Sequence, residues 1–200
     1  IGSTTLTNAY TGSSWSWDIF TAKLDSSGNF LWAKRLGGVQ DDKSFSISID
    51  NNSNVYTTGF YRTLVDFDPS PISTYTLNTN TNYNLFIQKL DQNGNFMWAG
   101  DIGGTGTAYK YYDGSSIFLN NNNEILVGGS VTSTFDADPT AGTFTMSAST
   151  TGGNAFLLKL NGSGTTTSIN NYELNDNFKI YPNPSSQEIT IELNSKNKMS

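Results

Sequence analysis

The chain contains no cysteine and no histidine among its 200 residues. Disulfide frameworks, Cys-His and Ser-His-Asp catalysis, and zinc or haem sites built on those ligands are therefore excluded. Charge is also scarce, at 14% of residues, and leans acidic. Eleven Lys and Arg against 17 Asp and Glu give a net charge of −6 and a pI near 4.4. A nucleic-acid binder needs a basic face, which this balance does not supply. No run approaches the ~20 apolar residues of a membrane span. No 3.6-residue period persists over three turns, and proline is held to five residues. Ile1 is no initiator and no signal peptide is visible, so the sequence predicts an upstream part.

What the chain has in quantity is turn and strand chemistry. It holds 24 Asn and 19 Gly, both tolerant of positive φ, and 13% aromatic residues. It also repeats itself. Asp18-Ile-Phe-Thr-Ala-Lys-Leu-Asp25 matches Asn84-Leu-Phe-Ile-Gln-Lys-Leu-Asp91 at an offset of 66, and Asn154-Ala-Phe-Leu-Leu-Lys-Leu-Asn161 a further 70 along. Gly28-Asn-Phe-Leu-Trp-Ala33 is echoed by Gly94-Asn-Phe-Met-Trp-Ala99, Gly37-Gly38 by Gly103-Gly104, and Asp66-Phe-Asp-Pro69 by Asp136-Ala-Asp-Pro139. Several motifs at one spacing define a repeat of about 66–70 residues.

Each repeat reads as four strands and one excursion. Residues 44–50 alternate Phe45, Ile47 and Ile49 with serines, a period of two with one apolar face. Residues 54–60 form the second strand, and a Thr-, Asn- and Pro-rich excursion fills 61–83. The third strand is 18–24 or 84–90 and the fourth 30–36 or 96–102, joined by turns in which Gly28 and Gly94 take the left-handed conformation. The fold class is all-β, and four-stranded antiparallel units that cannot bury both faces alone fit β-propeller blades. On this reading residues 1–161 hold half a blade, one full blade and three strands of another, part of a larger propeller. Residues 162–175 form a Gly/Ser/Thr/Asn linker. Residues 176–200 form a separate strand–turn–strand segment interrupted by Pro182 and Pro184.

Two resemblances follow. The Phe-x-x-Lys-Leu-Asp strand, Gly-Asn-Phe-x-Trp-Ala and Asn54-Val-Tyr-Thr-Thr-Gly59 resemble the SBBP repeats of secreted and surface bacterial proteins. That resemblance implies architecture and no particular chemistry. Tyr181-Pro182-Asn183-Pro184, followed by a strand carrying Ile189, Ile191 and Leu193, resembles the start of the type A C-terminal sorting domain of the type IX secretion system. It implies a secreted or cell-surface protein carried across the outer membrane. These seven residues would be read by the type IX translocon and its shuttle protein, with strand addition as the mode.

Asp66/Asp68 and Asp136/Asp138 place carboxylates at i and i+2. They suit a calcium ion, the one cofactor the pattern admits, or a Pro-terminated turn whose Asp side chains cap backbone N–H groups. Recurrence in each repeat argues against paired-carboxylate catalysis, because an active site is normally unique. Trp32 and Trp98 recur and predict packing between blades. The unrepeated Trp15, Trp17, Tyr109, Tyr111 and Tyr112 are better candidates for a ligand surface. Lys23, Lys89 and Lys159 share one strand position and predict exposed ammonium groups. The leading expectation is a non-enzymatic binding or adhesion module for a surface glycan or protein. A carbohydrate-active enzyme and a scaffold of a surface or motility apparatus are the alternatives.

Overall fold

The computed structural model describes residues 4–9, 16–79, 83–103, 116–131, 134–146, 154–173, 178–181 and 190–193. Every regular element among them is a strand. In chain order they are β1 (Ile19–Leu24) and β2 (Phe30–Leu36), then β3 (Lys43–Ile49) and β4 (Val55–Tyr61). A short hairpin follows, β5 (Leu64–Asp66) and β6 (Thr76–Asn78), and then β7 (Asn84–Leu90) and β8 (Phe96–Ile102). The pattern recurs in β9 (Ser116–Leu119), β10 (Ile125–Val131), a hairpin of β11 (Phe135–Asp136) and β12 (Thr145–Met146), β13 (Asn154–Leu160) and β14 (Thr166–Glu173). Last come β15 (Phe178–Tyr181) and β16 (Thr190–Leu193).

Two four-stranded antiparallel sheets result, ordered β3-β4-β7-β8 and β9-β10-β13-β14, preceded by the two-stranded β1-β2. The expected linker is corrected in part. Thr166–Glu173 is the fourth strand of the last unit and pairs with β13 from Asn154↔Glu173 to Leu160↔Thr166. Its threonines are β-branched and suit a strand, and Asn161-Gly-Ser-Gly164 is one more copy of the inter-strand turn. The excursions are not irregular either. Each folds into its own hairpin, β5-β6 or β11-β12.

One turn geometry serves five hairpins. The first residue is Asp25, Asp50, Asp91, Asn120 or Asn161. Its Oδ1 accepts the N–H groups two and four residues on, at 2.7–3.0 Å. The fourth residue is left-handed in every case: Gly28, Ser53, Gly94, Asn123 and Gly164, with φ between 58° and 87°. At two of the three outer hairpins glycine has a second reason. A Cβ on Gly94 would lie 3.0 Å from the Trp32 ring, and one on Gly164 would lie 3.2 Å from Trp98. Each Trp thus roofs the outer turn of the next unit, and the Trp32 Nε1–H donates to Gln92 O at 3.1 Å.

The core is two apolar layers between successive sheets. β7 is buried along its whole length and feeds both. Leu85 and Ile87 face the third unit with Ile117, Val127, Phe135 and Phe156. Phe86 faces the first unit with Ile19, Leu36, Val65 and Phe67. Alternation along one strand therefore serves two interfaces. The excursion hairpins are part of these layers, since Phe67 and Phe135 are both fully buried. Phe67→Ala is accordingly expected to lower the unfolding free energy by about 3–5 kcal/mol. A denaturant series checks it; a loss near that of an exposed loop residue would contradict the wedge role.

Candidate functional site

The Asp-x-Asp-Pro pairs lie on the excursion hairpins, where Val65 and Phe67 turn inward and the acids outward. Asp66 Oδ1 accepts N–H groups from Asp68 (3.0 Å) and Tyr75 (2.9 Å). Asp68 Oδ1 accepts the Ser70 N–H at 2.9 Å, and its Oδ2 accepts the Ser73 hydroxyl at 2.7 Å. The second copy repeats this. Asp136 Oδ1 takes Asp138 N–H (3.0 Å) and Phe144 N–H (2.8 Å), and Asp138 Oδ1 takes the Thr140 N–H and hydroxyl. These are the contacts of the capping reading. Among the described residues no group of three or more acidic side chains converges.

Two further acids, Asp42 buried and Asp101 half-buried, lie where sequence reasoning named none. Asp42, 1% exposed, sits in the link between β2 and β3 and accepts the Gly38 N–H (2.7 Å) and the Arg62 N–H (2.9 Å). Burial pushes its carboxyl up to about 6, against the pull of those two donors and with help from Asp18 and Asp41. Asp101 Oδ2 accepts the Tyr61 hydroxyl at 2.8 Å and an Asn84 amide N–H. Burial and then the Asp101 charge raise the Tyr61 hydroxyl. The only hint in the sequence was the doubled Asp41-Asp42 after Gly37-Gly38.

At the opposite end of the strands, acid and lysine meet beside the turns. Asp50 Oδ2 accepts Asn54 Nδ2–H (2.7 Å) and the Tyr56 hydroxyl (3.2 Å), and Lys89 Nζ lies 3.9 Å away. Burial works to raise the Asp50 carboxyl, but its hydrogen-bond donors win and hold it low. Burial lowers the Lys89 ammonium and Asp50 opposes. In the next unit the acid has moved to the other end of the same turn, and Lys159 pairs with Glu124 at 2.7 Å. Lys89 is only 8% exposed, which corrects its expected exposure. It stacks 4.9 Å from the Tyr56 ring and reaches Gly162 O in the following turn, as Lys23 reaches Gln92 O. Through Lys23 and Lys89 each unit is tied to the turn of the next.

Trp17 and an Asp18–Arg35 ion pair gather at the first sheet. A cleft of about 280 Å³ is lined by Asn8, Trp17, Asp18, Phe20 and Arg35, among others. Trp17 is 63% and Phe20 70% exposed. Arg35 Nη1 donates to Asp18 Oδ2 at 2.8 Å, and Asp18 Oδ1 is buried without a hydrogen-bond partner. Trp15, Tyr109, Tyr111, Tyr112, Pro182, Asn183, Pro184 and Ile189 lie outside the described residues. Tyr181 pairs with Thr190, Ile191 with Ile180 and Leu193 with Phe178 in a two-stranded sheet of their own.

The family model described as Beta-propeller repeat matches residues 31–59, from within β2 through β3 into β4. These repeats are β-propeller blades. The match begins in the last strand of one blade and runs into the second strand of the next, which is where the chain passes between blades. The chain is also similar to an uncharacterized WD repeat-containing protein of Acanthamoeba polyphaga mimivirus. The two are 27% identical over 122 residues, covering 54% of this chain and 8% of that protein's length.

Two outcomes follow from the acids. Asp66→Ala should cost about 1–2 kcal/mol and Asp66→Asn less, because the amide oxygen still accepts. A calcium-dependent melting temperature that Asp66→Asn abolishes would favour the ion instead. Asp42 ordinarily titrates at 3.8 and in the fold at about 6, so its neutral form is the one folding favours. Its stabilising contribution is present in acid and is lost as pH rises through about 6. Through this group, unfolding free energy should fall by up to about 3 kcal/mol between pH values near 4 and 7, and Asp42→Asn should flatten that slope.

Proposed function

We propose that the blades form a non-enzymatic binding module of a secreted, surface-associated protein. The cleft at Trp17, Asp18, Phe20 and Arg35 is its contact surface for a glycan or protein ligand. The observation that carries this is a contrast. Groups that recur in each blade are spent on turns and interfaces, whereas Trp17 and the Asp18–Arg35 ion pair do not recur; the positions of Asp18 and Arg35 hold Asn84 and Asp101 in the next repeat. An exposed ring supplies stacking area and the charged pair supplies directional hydrogen bonds, a combination suited to a partly apolar, polyhydroxylated surface.

The C-terminal segment serves as the export address. Its support is the Tyr181-Pro182-Asn183-Pro184 motif followed by the strand through Ile191 and Leu193, read as type IX cargo. The partners are the outer-membrane translocon and its shuttle protein, and strand addition suits a sheet that has two strands among the described residues.

In a host with that secretion system, the chain lacking residues 177–200 is expected to remain inside the outer membrane while the full chain reaches the surface or medium. Undiminished export of the deletion would end the address reading. Trp17→Ala combined with Phe20→Ala should leave the melting temperature nearly unchanged and weaken ligand capture on a glycan and surface-protein array at least about tenfold.

A further inference from the structure

Rings and cations run in contact from the β1-β2 unit onto the blade of β3-β4-β7-β8. Lys43 Nζ lies 5.3 Å from the centre of the Trp17 ring and 5.9 Å from that of Phe60. Phe60 meets Tyr83 edge to face at 5.0 Å, and the Arg62 guanidinium lies 4.7 Å from the centre of the Tyr83 ring. The five residues stand at one end of the strands: before β1, at the start of β3, at the end of β4 and before β7. They form a ribbon of ring, ammonium, ring, ring and guanidinium. Trp17 and Lys43 are exposed, and Phe60, Arg62 and Tyr83 are half-buried.

The last repeat does not carry this ribbon. Seventy residues on, Lys43, Phe60, Arg62 and Tyr83 correspond to Asp113, Ser130, Thr132 and Gly153, which supply neither a ring nor a cation. The chain as a whole is acidic, yet the acids at this end are engaged elsewhere. Asp42 accepts the Gly38 and Arg62 N–H groups, and Asp41 Oδ1 accepts the Trp17 N–H at 3.2 Å. Asp18 pairs with Arg35, and Asp101 accepts the Tyr61 hydroxyl. Among the described residues the Lys43 ammonium makes no ion pair. An ammonium set over ring faces still has N–H donors to offer a ligand.

We propose that this ribbon binds an acidic polysaccharide, a chain of uronate sugars whose carboxylates meet Lys43 and Arg62 and whose ring faces lie on the aromatics. The C–H face of a pyranose is flat and apolar and is covered well by an aromatic ring. Each carboxylate gains a charge-assisted hydrogen bond. Two cations with rings between them match a ligand in which charge and apolar face alternate. A nucleic acid needs a dense basic face, which this chain lacks. The inference rests on the reading of Trp17 as part of a contact surface, and it names the class of glycan.

The probes are polygalacturonate and its fully methyl-esterified form, titrated onto the full 200-residue chain. The two share a backbone and differ in charge. Polygalacturonate is expected to bind at least about tenfold more tightly than the ester. Its binding should raise the melting temperature with concentration and weaken as salt is added. Lys43→Gln with Arg62→Gln should leave the free chain's melting temperature almost unchanged and remove the preference for the acid, while Lys43→Arg keeps it. Poly-glutamate, which carries charge without sugar faces, should bind at least about tenfold more weakly than polygalacturonate. Equal binding of acid and ester overturns the proposal; if Trp17→Ala with Phe20→Ala then weakens both, the cleft reading still stands. Binding of neither polymer also overturns it and leaves a protein ligand for the cleft. Poly-glutamate binding as tightly as the sugar overturns it too, and would make an acidic protein segment the ligand.

Discussion

Everything in this chain depends on one sheet resting on the next. A four-stranded sheet of this size has no core of its own, and its apolar residues point to both faces in alternation. β7 shows the consequence most clearly. Leu85 and Ile87 belong to one interface and Phe86 to the other, and all three are essentially dry. Stability is therefore a property of neighbouring pairs, as in other stacked repeats. A face with no neighbour among the described residues keeps its apolar row exposed, as Ile47 and Ile49 do beside their buried counterparts Ile117 and Leu119.

Polar groups are arranged around the same dependency. The excursion hairpin of each complete blade returns over the interface with the unit before it and inserts Phe67 or Phe135 there, while its aspartates cap the backbone of the hairpin. Trp32 and Trp98 close over the outer turns of the following blades, and Lys23 and Lys89 reach carbonyl oxygens in those same turns. The acid beside the lysine can occupy either end of a turn, Asp50 in one blade and Glu124 in the next, because both ends bring a carboxylate near the same ammonium. Such contacts recur because the interface recurs. Trp17 and the Asp18–Arg35 pair do not recur, and this is why they carry the proposed function.

The repeat, the four strands of the complete sheet β3-β4-β7-β8 and the β class were legible because each rests on local chemistry: alternation, turn residues and spacing. The recurring Trp was assigned to packing between blades for the same reason, and its ring over Gly94 or Gly164 bears that out. The strand at Thr166–Glu173 was misread because a Thr-, Ser- and Asn-rich run has linker composition. Its pairing with β13 is a long-range fact that composition does not carry. Lys89 was expected in solvent because Lys usually is; its burial follows from the next turn closing over it.

The sequence alone determined that this is an all-β chain of repeating four-stranded units, without thiol or imidazole chemistry. Those properties follow from residue types and their order. Only the tertiary structure decided which side of each strand is dry. Phe20, Phe86 and Phe156 occupy one repeat position, yet the first is 70% exposed and the others are buried. The residue is the same in all three; what sets its burial is whether another sheet stands against it, and no single repeat contains that information.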